Sequence, residues 1–168
     1  LDRARARIER DGWSNVHVAR ADATLPPLQS GDGRPLGSVD GVLATFLTGM
    51  LDDPAGAVDD WCRLAAGPTP SHPPGRVCVA GLTRSPHPVG RRLNPVFSGL
   101  VRLASPPSRV NGADDARERS PAAVLDERAL AAHRRVHERC RNPNTTRLLA
   151  GFARVTAGRV ATAALDDS

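Results

Sequence analysis

The sequence predicts an α/β fold: an open, mostly parallel sheet with helices on both of its faces. Short apolar runs that suit strands alternate along the chain with segments of helical spacing, an order typical of such sheets. Pro- and Gly-rich stretches separate these segments. A chain of 168 residues with 40% hydrophobic and 24% charged residues suits a packed domain rather than a disordered chain. We therefore expect a single domain over residues 1–168.

The N-terminal segment predicts a helix and then a short strand. Apolar residues from Leu1 to Ile8 recur at helical spacing, and Gly12 ends the helix. Residues 16–19 alternate between valine and other residues and predict a strand that stops at Asp22. Residues 24–38 are rich in Pro, Gly and Ser and predict a loop.

The middle of the chain predicts two buried strands joined by a helix. Residues 39–46 are nearly all apolar, as a strand buried on both faces requires. Asp53 and Pro54 then supply an N-cap and a first-turn proline for a helix that runs through Leu64. Residues 76–82 predict the next strand.

The C-terminal segment predicts further elements around a long insertion. Asn94 and Pro95 predict the start of a helix with an apolar stripe over residues 95–104. Residues 105–121 are polar and Pro-rich and predict a flexible insertion. A helix at 126–133, a strand at 136–140 and a last strand at 148–156 are expected to follow.

The distribution of charge favours an anionic ligand over nucleic acid. All 23 basic residues are arginines and the formal net charge is only +5, so the high isoelectric point overstates the case for nucleic-acid binding. Between Trp61 and Ala113 there are seven arginines and no carboxylate. This segment predicts an electropositive surface suited to an anionic ligand or lipid headgroups, with an ordinary solvated surface as the alternative.

Other features limit the classes of function. No apolar run is long enough to cross a bilayer. Three widely separated cysteines favour a reducing cytoplasm over a disulfide framework. His133 and His137 share a helical face near Cys140, but neighbouring arginines would repel a cation, so no metal site is expected.

Asp22 is the carboxylate most suggestive of ligand binding. At the carboxyl end of a strand it could accept a hydrogen bond from an adenine amine, while the Ala23 N–H donates to a ring nitrogen. The alternative is that Asp22 only caps the turn that follows it.

The order of these segments resembles the class I S-adenosylmethionine-dependent methyltransferases, especially the branch with quinone-biosynthesis and phospholipid N-methyltransferases. The resemblance covers Leu1 to about Ala104. Residues 15–23 match the N-V-x-V-x-x-A-D-A strand, residues 39–42 match an x-D-x-V strand, and residues 74–76 match part of the L-x-P-G-G-R turn.

The resemblance implies a Rossmann-like sheet whose last strand is antiparallel, and a chain that holds the C-terminal two-thirds of that fold. Because the glycine-rich first loop and the acidic ribose ligand of the family would lie upstream of Leu1, we expect an N-terminally incomplete domain with impaired activity. The implied reaction is methyl transfer from S-adenosylmethionine to a small or lipid-like acceptor. It proceeds by in-line displacement and requires no obligatory catalytic residue.

The resemblance also implies the residues of the site. The cofactor-binding residues would be Asp22, Ala23, Ala44, Thr45 and Phe46, and the substrate-binding residues would be His87, Arg91, Asn94 and Phe97. His87 is the base candidate if the acceptor must lose a proton, with a surface role as its alternative.

Two alternatives remain open at this point. The stripe over residues 95–104 suggests an apolar acceptor or contact with a membrane surface, and core packing against the sheet is its alternative. The rival to the methyltransferase is a non-catalytic α/β binding domain that uses a basic face for an anionic partner. The sequence does not indicate an oligomeric state.

Overall fold

The structure is a computed structural model that describes residues 1–24, 39–66, 73–104 and 121–161. The chain divides into two compact units, Leu1–Leu36 and Gly37–Ser168. None of the helices in the described ranges combines the length and apolar character needed to cross a bilayer. The described helices and strands are α1 (Asp2–Asp11), β1 (Gly41–Thr45), α2 (Pro54–Leu64), β2 (Arg76–Leu82), α3 (Pro88–Ala104), α4 (Pro121–Arg139), β3 (Cys140–Leu148) and β4 (Ala153–Val160).

The first unit contains the predicted helix but not the predicted strand. Helix α1 ends at Gly12, whose left-handed backbone (φ 67°) lets its N–H bond to the last turn. Residues 13–24 contain no strand, so the prediction for residues 16–19 is wrong. Two valines offer little apolar surface, and no described strand pairs with this segment to satisfy its backbone. Most of the predicted loop, residues 25–38, lies outside the described residues.

The second unit is built on a four-stranded mixed sheet in the order β1-β2-β4-β3. Strands β1 and β2 are parallel, and β4 is antiparallel to both of its neighbours, β2 and β3. The predicted α/β class and the antiparallel last strand are confirmed. Parallel pairing is confined to one pair of described strands, because β3 and β4 follow each other closely enough to form a hairpin.

The central β1–α2–β2 unit follows its sequence signals. Helix α2 starts at Pro54, and the Asp53 carboxylate accepts a hydrogen bond from the Gly56 N–H at 2.9 Å. This confirms the predicted cap. Strand β1 lies within the predicted 39–46 segment, and β2 has the predicted bounds. The helix supplies the crossover that a parallel pair of strands requires.

The C-terminal elements differ from the prediction. Helix α3 begins at Pro88, so Asn94 and Pro95 lie inside it. Helix α4 takes up residues 136–139 of the predicted strand at 136–140, and only Cys140 belongs to a strand, β3. Val136 continues the buried helix face that carries Ala129 and Ala132. Of the predicted insertion, residues 105–120 lie outside the described residues and Pro121 starts α4.

The end of the chain folds as a hairpin that the sequence predicts only in part. The last strand is Ala153–Val160 rather than 148–156, and β3 was not predicted. Strand β3 carries Pro143 and few apolar residues, so it has no alternating pattern to detect. An edge strand tolerates such a sequence, because only one of its sides pairs with a neighbour.

Helices α2 and α4 pack on the same face of the sheet. Val77 and Val79 of β2 point toward this face and are fully buried, whereas the alternate residues Cys78 and Ala80 are half-buried. Trp61 of α2 and Val136 of α4 belong to the same core cluster. Helix cover on the opposite face stays a prediction for the domain.

A cluster of charged groups joins these two helices outside the core. Asp59 of α2 accepts hydrogen bonds from Arg135 Nε at 2.8 Å and Nη2 at 2.7 Å, and from Arg139 Nε at 2.7 Å. Burial alone would raise the pKa of Asp59, but the hydrogen bonds from the two arginines lower it overall. The carboxylate therefore contributes stability in its ionised form.

We expect Asp59→Asn to lower the free energy of unfolding at pH 7 by about 2 kcal/mol, because a bidentate, partly buried ion pair is lost. The contribution of Asp59 is fully present above the unfolded pKa, near 3.8, and is lost as the pH falls through the lower folded pKa. Urea unfolding of the wild type and the variant between pH 2 and 7 measures it.

The matched control is Asp60→Asn, since Asp60 makes an exposed pair with Arg63 on its own helix. We expect this control to change stability by less than about 0.5 kcal/mol. Equal effects of the two variants would contradict a specific role for Asp59.

Candidate functional site

A small apolar cavity lies at the carboxyl ends of the two parallel strands. Its volume is about 90 Å³, and we call it the end cavity. Ligands of open α/β sheets bind at this edge, so it is the first place to look for a site. Its walls are Phe46, Thr48, Gly49, Met50, Gly81, Leu82, Phe97, Val101, Leu125 and Ala129.

The cavity is formed where the chain leaves β1. Phe46 has a positive φ of 55°, and its N–H donates to the Ala80 carbonyl at 2.7 Å. This bend is followed by a short 3₁₀ turn, Thr48–Met50. Helix α3 contributes Phe97, whose ring packs against Phe152 with 5.4 Å between the centroids. The cavity thus has aromatic groups from two separate elements.

The predicted cofactor residues of the second unit have different surroundings. Ala44 is buried in the core cluster beneath the helices, so its side chain is used for packing. Thr45 is exposed at the end of β1. Phe46 is the one residue of the three that lines the end cavity. A role for all three in cofactor binding stays a prediction.

Asp22 and Ala23 lie in the first unit, where Asp22 caps a turn. One oxygen of Asp22, Oδ1, accepts hydrogen bonds from the Thr24 N–H at 2.9 Å and from Thr24 Oγ1 at 2.7 Å. The backbone and then the side-chain hydrogen bond from Thr24 lower the pKa of this carboxyl. The capping alternative is therefore present in the structure, and recognition of adenine stays a prediction.

The predicted substrate residues all belong to α3 or the turn before it. Phe97 lines the end cavity. Asn94 instead holds the backbone of Ser85: its Oδ1 accepts from the Ser85 N–H at 2.9 Å and its Nδ2 donates to the Ser85 carbonyl at 3.1 Å. His87 and Arg91 are exposed near the start of the helix. Asn94 thus fixes the entry into α3 and with it the position of Phe97.

A chain of hydrogen bonds links a buried histidine to the surface, and sequence analysis missed it. His133 Nδ1 lies 2.9 Å from Thr156 Oγ1, which lies 2.8 Å from Thr145 Oγ1, which lies 2.8 Å from Nε2 of the exposed His137. The sequence showed only that the two histidines share a helix face. The threonines that connect them come from β3 and β4, so strand register alone brings them together.

His133 is fully buried and neutral at physiological pH. Burial is the main cause that lowers its pKa to about 4, and the positive charge of Arg154 adds to the effect. Smaller contributions come from His137 and Arg147. Its imidazole is therefore an uncharged hydrogen-bonding group at the neutral pH at which most proteins work.

Two arginines of the arginine-rich segment form ion pairs, and the predicted electropositive surface stays a prediction. Arg63 pairs with Asp60 at 2.8 Å, and Arg84 pairs with Asp126 at 3.3 Å, because the fold brings carboxylates from outside the segment. A different set of arginines lines up across the sheet: Arg76, Arg159 and Arg141 occupy paired positions on β2, β4 and β3 and are exposed. We call these three residues the arginine row.

The pKa of His133 predicts a pH-dependent stability. Between pH 6.5 and about 4 the unfolded chain binds a proton at His133 that the folded chain does not, so stability falls as the pH is lowered through this range. The loss amounts to roughly 3 kcal/mol. We expect His133→Gln to remove this part of the slope in urea unfolding.

His87→Gln provides the control, because His87 is exposed and its replacement leaves the buried surroundings of His133 unchanged. We expect its pH profile to follow the wild type. A His133→Gln profile with the wild-type slope between pH 4 and 6.5 would contradict the assignment.

No model of a known protein family matches this chain, and a search of curated proteins finds no match to it. The function is therefore inferred from the fold, the end cavity and the residues around it.

Proposed function

We propose that the chain is a methyltransferase domain that transfers a methyl group from S-adenosylmethionine to a small or lipid-like acceptor. The observation that carries the proposal is that Phe46 and Phe97 line one cavity. The resemblance implied the first as a cofactor residue and the second as a substrate residue. The antiparallel β4 supports the same family architecture.

The size of the end cavity favours the acceptor as its occupant. At about 90 Å³ it is several times smaller than the roughly 300–1,000 Å³ of pockets that enclose whole drug-sized ligands. In this proposal Phe46 separates the acceptor from the cofactor. Bound cofactor would supply an electrophilic methyl group on a positively charged sulfur.

The residues of the chain contribute orientation and exclusion of water. The apolar walls remove solvent from an acceptor atom, which leaves its lone pair free to attack. The aromatic rings restrict the directions in which an acceptor can lie, and in-line displacement depends on that restriction. Asn94 contributes indirectly by fixing the turn at Ser85.

The outer face of α3 supports a lipid-like acceptor. The predicted stripe divides between two faces: Phe97 and Val101 line the cavity, whereas Val96 and Leu100 are 60% and 61% exposed. Val89 and Leu93 continue the exposed set at helical spacing. Helix α3 contains arginines and no carboxylate, so this apolar stripe suits an anionic lipid surface on the cytoplasmic side of a membrane.

The arginine row favours the rival function, a non-catalytic domain that binds an anionic partner. Arg76, Arg159 and Arg141 line a broad groove on the sheet together with Asn142 and Asn144. Three neighbouring guanidinium groups would attract phosphate or carboxylate groups. This function needs neither the end cavity nor the cofactor.

We expect calorimetric titration with S-adenosylhomocysteine to show binding that Asp22→Asn weakens about tenfold or more, because the amide replaces an acceptor oxygen with a donor nitrogen. The variant keeps Oδ1 for the turn at Thr24, so its melting temperature should stay close to that of the wild type.

Asp2→Asn, at an exposed position of α1, is the matched control and should leave binding unchanged. The methyltransferase proposal fails if the folded wild-type chain releases no heat with the ligand at millimolar concentration.

We expect the chain to sediment with vesicles of anionic phospholipid, and Val96→Glu to reduce the bound fraction several-fold by placing a charge in the exposed stripe. Arg159→Gln, in the arginine row, is the comparison variant. Loss of binding in Arg159→Gln with normal binding in Val96→Glu would favour the rival function.

A further inference from the structure

Buried polar groups without hydrogen-bond partners occur next to the end cavity. Thr48 lines the cavity, and the other two groups belong to residues that neighbour its wall residue Gly81. Within the described residues, three buried side-chain atoms have no partner: Thr48 Oγ1, His133 Nε2 and Arg154 Nε. The side chains of Thr48 and His133 are almost completely buried. Since each unpartnered buried polar group costs about 1–3 kcal/mol, three in one part of a domain require an explanation.

All three atoms belong to residues around Gly81. A Cβ built on Gly81 would lie 3.6 Å from His133 Nε2 and 3.9 Å from Thr48 Oγ1. Arg154 of β4 is directly opposite Gly81 in the strand register, so its side chain leaves the sheet on the same face. Gly81 and Thr48 also line the end cavity.

The cavity therefore has a polar inner end and an apolar outer part. Its buried end is formed by Gly81, Thr48 and Ala129, and its exposed rim includes Phe46 and Met50. A ligand that fits this shape has a polar group at one end and a short apolar chain behind it. The volume is below the roughly 150 Å³ that accommodates benzene, so the chain is short or projects past the rim.

The charges around the polar end favour a negative group. The positive charges of Arg154 and Arg147 both lower the pKa of His133. Burial, together with the charge of Arg147, lowers the pKa of Arg154. The Asp126 carboxylate raises the pKa of Arg154, but it already accepts hydrogen bonds from the backbone and side chain of Arg84. A cationic amine would be repelled here, whereas an anion would relieve the repulsion between the arginines.

The three unpartnered groups can all donate to one anion. The Arg154 Nε–H and the Thr48 hydroxyl are donors. The hydrogen-bond chain through Thr156, Thr145 and His137 permits either tautomer of His133, including the one that carries its proton on Nε2. A carboxylate has two oxygens with about four acceptor positions and could accept from all three.

We propose that Thr48, His133 and Arg154 bind the carboxylate of a short-chain monocarboxylic acid whose alkyl chain lies in the end cavity. In terms of the proposed function, this acid would be the acceptor that occupies the end cavity. The inference rests on the proposed function only for that identification. Carboxylate binding requires no cofactor, so the two proposals can fail separately.

The test is calorimetric titration of the full chain with acetate, butyrate and hexanoate, with hexanol as the uncharged analogue. We expect affinity to rise from acetate to hexanoate as more alkyl surface is buried, and hexanol to bind at least about tenfold more weakly than hexanoate. Equal affinity of hexanol and hexanoate would overturn the proposal, as would the absence of binding at millimolar concentration.

Gly81→Ala is the sharpest variant, because its methyl group fits at ordinary contact distances yet fills the space beside His133 Nε2 and Thr48 Oγ1. We expect it to fold normally and to lose hexanoate binding at least tenfold. The matched control is Gly99→Ala on α3, where a Cβ meets nothing within 4 Å. Unchanged binding in folded Gly81→Ala would overturn the site.

A second readout follows His133 itself. In NMR titrations, saturating hexanoate should raise the pKa of His133 by about one unit or more from its value near 4, because a carboxylate stabilises the imidazolium. The resonance that is absent from the spectrum of His133→Gln identifies His133 among the five histidines. An unchanged pKa in the presence of bound hexanoate would place the acid elsewhere and overturn the proposal.

Discussion

The packing of α4 across one face of the sheet is the constraint on which the second unit depends. This helix contacts β2, β3, β4, α2, α3 and the turn after β1. Its buried face carries both apolar and polar residues. Ala132 and Val136 complete the core, whereas Asp126 and His133 are buried hydrogen-bonding groups. The exposed side of the same helix binds Asp59 of α2 through two arginines. The same helix thus contributes residues to the core, to the ion pairs with α2 and to the end cavity.

This arrangement explains why the end cavity has a polar inner end. A helix laid on a sheet at 3.6 residues per turn presents every third or fourth residue to the strands, so Ala129 and His133 follow each other along the contact line. Gly81 lacks a side chain at the point where His133 reaches the sheet. Thr48 from the turn after β1 borders the space at that glycine, and Arg154 of β4 is the strand partner of the glycine. Four separate segments therefore contribute to one small volume.

The two proposals depend on different physical properties of this volume. Methyl transfer depends on the aromatic rim and on exclusion of water, since the cofactor carries the reactivity. Carboxylate binding depends on the unpartnered donors and on the excess of positive charge at the inner end. The exposed stripe of α3 and the arginine row lie outside the cavity. They bear on the proposed membrane contact and on the anionic partner of the rival function, not on the ligand in the cavity.

The sequence by itself determined the elements whose signals are local. The continuous apolar run before Phe46, the Asp53–Pro54 cap and the RVCVAGL strand predicted β1, α2 and β2, because burial and capping leave patterns in neighbouring residues. Of the predicted site, Phe46 and Phe97 came together in the cavity. Only the tertiary structure decided the rest. Strand β3 has no apolar alternation, Asn94 sits inside a helix, and Thr48, His133 and Arg154 are distant in the sequence. Their proximity follows from strand register and from the position of α4, which no local pattern records.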